Sequence, residues 1–154
     1  MTEELYPSYK NTSNRSFYGV FKRSIDLVGG ILGIIVLSPL LILIALLVRF
    51  SSAGPVFFKG IRTGRFGKQF TIIKFRSMVV GSDLQAGTTS RNDPRITRVG
   101  KVIRRYKLDE LPQLFNVLRG EMSLVGPRPE LPYYTDQYRG EERLILSVRP
   151  GITD

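Results

Sequence analysis

The feature that most constrains this chain is the run from Leu27 to Val48, in which no residue carries a charge. About 20 consecutive apolar residues are enough to carry a helix across the ~30 Å hydrocarbon core of a bilayer. The run begins too far from the N-terminus for a signal peptide and lacks the small-residue cleavage site. At its middle, in VLSPLLI, stand Ser38 and Pro39. An interior proline removes a backbone hydrogen bond and clashes with the preceding turn, costing ~3 kcal/mol or more, although membrane helices tolerate it. A break there leaves two halves, each ~18 Å long at ~1.5 Å per residue. Basic residues flank both ends, Lys22 and Arg23 before and Arg49, Lys59, Arg62, Arg65 and Lys68 after, and such flanks favour the cytoplasmic side. The residues leave three readings open: a kinked spanning helix, a re-entrant segment that turns at Ser38-Pro39 and leaves on its side of entry, and a buried helix of a soluble core.

The chain has 154 residues, enough for one compact domain and an attached element. Its 23 Lys+Arg against 13 Asp+Glu give a net charge of +10, which predicts anionic partners: nucleic acid, acidic lipid headgroups or phosphorylated small molecules. Cysteine is absent, which excludes disulfides and thiolate metal sites. Histidine is absent too, so a general base or nucleophile must be a carboxylate, Lys, Ser, Thr or Tyr.

Residues 1–16 are polar and aperiodic, a flexible tail. Two strands are expected near Val56–Ile61 and Gln69–Phe75, joined by the Gly-bearing turn TGRFGK. GSDLQAGTTSRNDP reads as a surface loop and ITRVGKVIRRY as a helix. Leu108, Leu111, Phe115 and Leu118 recur near helical spacing, and Gly120 should end that helix. SLVGPRPELP is expected to be irregular, YYTDQYRGEERLILSV one broken or two short helices, and VRPGITD a run of turn residues that closes nothing.

Within RRYKLDELPQL, Asp109 sits where a helix N-cap belongs, with Pro112 in the first turn. Capping alone explains a lone Asp. Here Glu110 is adjacent, and Arg104, Arg105 and Lys107 are close enough in sequence to hold an Asp below its usual pKa of ~3.9. An ionised carboxylate beside an anion site can ligate Mg²⁺ or attack phosphorus. Lys74 and Arg76 alternate at the end of a strand, so both heads can face one pocket or simply blunt an edge. Arg128, between two prolines, suits a rigid guanidinium grip on phosphate, or a solvated connector. No recognised nucleic-acid motif appears, and none is expected to be bound.

The stretches KRSIDLVGG, LSP, GPVFFKG, FTIIKFRSM, DELPQLFNVLRGEMSLVGPRPE and SVRPGIT, in this order, resemble the bacterial sugar transferases that initiate glycan assembly, the monotopic phosphoglycosyl transferases. The resemblance covers Phe17 to Asp154; Tyr106-Lys107 stands where members often have Thr-Ser. It implies an α+β, mostly helical chain: residues 17–49 as a re-entrant helix broken at Ser38-Pro39, then a catalytic domain over 50–154 with a short β-hairpin. Members usually continue past the final turn, so this chain is expected to lack a C-terminal portion. The implied reaction moves a sugar 1-phosphate from a UDP-sugar to polyprenol phosphate with Mg²⁺, on the cytoplasmic face of the bacterial inner membrane. Asp109 would be the nucleophile. Glu110 would hold Mg²⁺ with Asp109 or take a proton, and Lys74, Arg76, Arg104, Arg105 and Arg128 would bind substrate. Membrane lipids would be further partners, and self-association stays open. The rival reading is a non-catalytic basic module anchored in the membrane that binds anionic lipid or nucleic acid.

Overall fold

The computed structural model describes residues 13–81 and 93–153. Most of the polar tail and most of the surface loop expected at GSDLQAGTTSRNDP lie outside them. The first element, α1 (Ser13–Ser51), carries the whole apolar run and continues as helix through Pro39. It begins four residues before the expected tail boundary, and the expected break at Ser38-Pro39 does not interrupt the helix. Among the described residues, one helix, Tyr18–Ser51, is thus long and apolar enough to cross a membrane. Large apolar side chains along it lie open, Val36 at 73% and Ile35 and Ile42 at 62%, so its exterior is not that of a helix buried in a soluble core.

The paired strands β1 (Phe57–Thr63) and β2 (Gln69–Phe75) form the expected hairpin. Its tip places Phe66 at φ +58 and Gly67 at φ +75. The Phe66 ring lies 4.5 Å beneath the Arg65 guanidinium, a contact that helps hold a side chain in the left-handed region. Next come α2 (Arg98–Arg105), a 3₁₀ segment (Leu108–Gln113) and α3 (Leu114–Arg119). Gly120, at φ +82, ends α3 as expected.

Two expectations fail in the C-terminal third. SLVGPRPELP is not wholly irregular, and the terminal turn does close something: β3 (Ser123–Val125) pairs in parallel with β4 (Gly151–Thr153), Ser123 opposite Gly151 and Val125 opposite Thr153. Three residues make too short a run for periodicity to register. Between them lie α4 (Pro132–Thr135) and a further 3₁₀ segment (Gly140–Ser147), two short helices, one of the two arrangements expected. The chain is therefore α+β and mostly helical, with a small hairpin.

Two compact units share these elements, and the division falls within α1 at Ile35/Val36, just ahead of Ser38-Pro39. The first joins the N-terminal half of α1 to residues 60–72 and 113–154. Phe70, Ile72, Val117 and Met122 form its core. Gly29 and Gly30 let other side chains come close to the helix: a Cβ on Gly30 would lie 2.9 Å from Leu118 Cδ2, and one on Gly29 2.6 Å from Leu124 Cδ1. Arg23 donates to the Val117 and Leu118 carbonyls at 2.6 and 2.8 Å, satisfying the exposed end of α3. Asp26, 1% exposed, accepts from Lys22, Ser123 Oγ and the Leu124 N–H.

The second unit comprises residues 36–59 and 73–112. Its core is Ile44, Val48, Phe75 and Ile103, with Leu40, Val56, Leu108 and Leu111 packed around them. One face of the C-terminal half of α1 thus packs on the end of β2, on α2 and on the 3₁₀ segment that follows it.

Candidate active site

The second unit holds six of the seven candidate side chains and brings four of them together. Three chain segments deliver them: β2 supplies Lys74, α2 supplies Arg104, and the 3₁₀ segment supplies Asp109 and Glu110. Thr97 caps α2 by accepting from the Gly100 N–H at 2.9 Å. The Thr97 N–H donates to the Ser77 carbonyl at 3.0 Å, which ties the start of α2 to the residues after β2. At the other end of α2, Lys107 takes φ +55, a left-handed conformation unusual for a side chain of its size. This reversal turns the chain directly into the segment that carries both carboxylates. Strain of this kind costs on the order of 1 kcal/mol or more and clusters where function needs it.

Asp109 is not an N-cap. The 3₁₀ segment begins at Leu108, so Asp109 lies inside its first turn and Pro112 falls near its end. A cap position cannot be told from an adjacent one until the reversal at Lys107 is known. Lys74 Nζ donates to Glu110 Oε1 at 2.6 Å, each side chain about a fifth exposed (19% and 20%). That burial strengthens the attraction between the two charges and raises the cost of desolvating them, so separating the pair would strand a charge that is largely out of water. Burial pushes the Asp109 carboxyl above the ordinary carboxylate value; the Lys74 ammonium opposes this, Glu110 adds to it, and Arg104 opposes it. The expectation that neighbouring cations would depress this group is therefore reversed: desolvation outweighs them.

The other candidates go elsewhere. Arg76 does not share a pocket with Lys74; it is 5% exposed and its Nη2 donates to the Val48 and Ser52 carbonyls. Arg105 is exposed, 5.8 Å from the Tyr106 ring. Arg128 belongs to the first unit, where it lines a shallow cleft with Thr63, Gly64, Glu130, Tyr138 and Pro150. Sequence reasoning missed Asp93. Arg95 grips its carboxylate with Nε and Nη2, the latter at 2.6 Å, and lends its main-chain N–H. These bonds hold Asp93 at about 2, and the Arg104 charge also acts on it. The Asp-Pro-Arg order, an Asx-type turn, was the only signal available.

Among the described residues no three or more Asp, Glu, His or Cys come together as a metal cage. Two adjacent carboxylates, one of them already engaged by Lys74, fit a hard cation that completes its shell with water and ligand phosphate oxygens. The cluster can thus do two things: bind phosphate through Lys74 and Arg104, and offer a desolvated carboxylate to phosphorus.

Comparison with known proteins places this cluster in context. The chain is 56% identical over 144 residues to an undecaprenyl-phosphate glucose phosphotransferase of Komagataeibacter xylinus, covering 86% of this chain and 26% of that protein. It is 47% identical over 138 residues to the UDP-glucose:undecaprenyl-phosphate glucose-1-phosphate transferase of Escherichia coli, covering 87% and 30%. With the exopolysaccharide production protein ExoY of Sinorhizobium fredii it shares 41% over 155 residues, 90% of this chain and 69% of that one. The chain spans about a quarter to a third of the first of these relatives. The bacterial sugar transferase profile matches residues 17–154. With that match running through the apolar helix and the carboxylate cluster alike, the chain belongs to the bacterial sugar transferase family.

Proposed function

We propose that this chain is a phosphoglycosyl transferase that moves a sugar 1-phosphate from a UDP-sugar to polyprenol phosphate and releases UMP. This would be the first membrane step in assembling a surface polysaccharide or glycoconjugate. The observation that carries the reading is the cluster of Asp109, Glu110, Lys74 and Arg104 in a chain of this family. The names of the relatives, which specify sugar phosphotransferases acting on undecaprenyl phosphate, support the two substrates.

An Asp109 carboxylate oxygen bonds to the sugar-bearing phosphorus, the bond from that phosphorus to the bridging oxygen breaks, and UMP leaves. An oxygen of polyprenol phosphate then attacks the same phosphorus and expels Asp109 as carboxylate. A carboxylate whose affinity for protons is raised by burial is the better nucleophile for the first step. Lys74 and Arg104 hold phosphate oxygens, and Arg128 and Arg105 are further candidates for the nucleotide or lipid phosphate. Glu110 takes the proton of the incoming lipid phosphate or joins Asp109 in holding Mg²⁺. When bound, Mg²⁺ supplies charge neutralisation for the diphosphate.

Re-entry of α1 belongs to the same proposal. Pro39 lies within the helix, the compact units divide beside it, and basic residues flank both ends. A helix that dips and returns at this point keeps the cluster at the cytoplasmic surface of the inner membrane, where a lipid phosphate and a soluble nucleotide can meet. The test is UMP release from membranes carrying this chain, given polyprenol phosphate, Mg²⁺ and a panel of UDP-sugars, with EDTA as control. UMP release that depends on both acceptor and metal is expected. Its absence across the panel, with salt-sensitive nucleic-acid binding instead, would favour the non-catalytic module.

A further inference from the structure

Arg76 is the buried cation that the proposed chemistry does not use. Its Nη2 donates to Ser52 O at 2.7 Å, Ser52 Oγ at 3.0 Å and Val48 O at 3.2 Å, and its main-chain N–H donates to Val56 O at 2.8 Å. Nε and Nη1 are buried without a hydrogen-bond partner among the described residues. A side chain on Gly54, at φ +119, would collide with Nη1 and with Val80. What answers this permanent charge is the carbonyl end of α1, where the peptide dipoles concentrate negative partial charge. A guanidinium that leaves two of its nitrogens unsatisfied to reach these carbonyls is costly if it only fills space. Two residues earlier, near the end of the strand that Arg76 follows, Lys74 grips Glu110 beside Asp109.

We infer that Arg76 is a positioning residue: it clamps the end of β2 to the C-terminal turn of α1 and so sets the depth of Lys74, Glu110 and Asp109 against the apolar helix. The inference rests on the transferase reading. A UDP-sugar arrives from water at any height, whereas a bilayer presents the acceptor phosphate at one depth. The clamp therefore matters for the lipid acceptor and not for the nucleotide donor.

The test compares wild type with Arg76→Met, Arg76→Lys and Gly54→Ala, the last displacing the guanidinium without removing its charge. Each is assayed for UMP release with long-chain polyprenol phosphate in liposomes and with a short-chain analogue in detergent. Arg76→Met and Gly54→Ala should raise KM for the liposomal acceptor on the order of tenfold, as ångström-scale misplacement does. KM for the UDP-sugar and the rate with the short-chain acceptor should stay unchanged. Arg76→Lys, which keeps the positive charge, should recover part of the loss. Equal losses on both acceptors would reduce Arg76 to a packing role and overturn the inference, as would no loss on either. A wild type that releases no UMP with either acceptor would overturn the transferase reading and the role of Arg76 with it.

Discussion

Replacing Asp26 with alanine tests what seats the N-terminal half of α1. Asp26 is 1% exposed, and its Oδ1 accepts from Lys22 Nζ at 2.7 Å, Ser123 Oγ at 3.0 Å and Leu124 N–H at 3.0 Å. Removing the carboxylate leaves the Leu124 N–H without this acceptor, and a stranded buried donor costs about 1–3 kcal/mol. The Ser123 hydroxyl can rotate, and Lys22, 31% exposed, can turn to water. These two therefore add less than a fully buried broken pair, for which about 3–5 kcal/mol is lost. The sum is about 3 kcal/mol, and at about 2–4 °C per kcal/mol for a chain of this size the midpoint should fall on the order of 10 °C. Thermal unfolding of the purified protein in one detergent, followed by far-UV circular dichroism, measures it. Lys22→Met should cost less than Asp26→Ala, since the buried carboxylate keeps its Ser123 and Leu124 donors and loses only a partner that is itself 31% exposed. If Lys22→Met were as damaging as Asp26→Ala, the carboxylate would not be the hub of this contact.

Three further outcomes follow from particular atoms. Asp109→Asn should abolish UMP release while nucleotide binding, followed by calorimetry, survives; substantial residual turnover would mean another group attacks. Gly30→Val should destabilise by about 1–3 kcal/mol in the same melting assay, because its Cβ would press within 2.9 Å of Leu118. Asp93 ionises at about 2 when folded and near ~3.9 when unfolded. Its pairing with Arg95 thus stabilises fully above pH ~4 and is lost as pH falls through about 2. The stability gap between wild type and Asp93→Asn should therefore narrow over that window in acid titrations; a constant gap would show that the carboxylate charge is idle.

Local features were legible because their causes are local. The hairpin over Gln69–Phe75 and its partner, the stop at Gly120 and the apolar run each follow from neighbours in the chain, whose propensities and φ angles carry the information. The pairing of β3 with β4 was not legible, since three residues show no period and the partner lies far along the chain. Nor was the reversal at Lys107, a non-glycine residue in a glycine-like conformation, which moved Asp109 from cap to interior.

Sequence alone determined that the chain carries an apolar element of membrane length and that its reactive group, with no His or Cys to use, must be sought among carboxylates, Lys and hydroxyls. It also marked Asp109 and Glu110 as an acidic pair among cations. Only the tertiary structure decided which cations meet that pair. Alternation along a strand makes Lys74 and Arg76 look equivalent, yet one reaches Glu110 and the other the carbonyl end of α1. That choice depends on which groups other segments bring within hydrogen-bond reach. The same holds for the sign of the Asp109 shift: charges can be counted from a sequence, but desolvation depends on the atoms that exclude water, and only the folded chain supplies those.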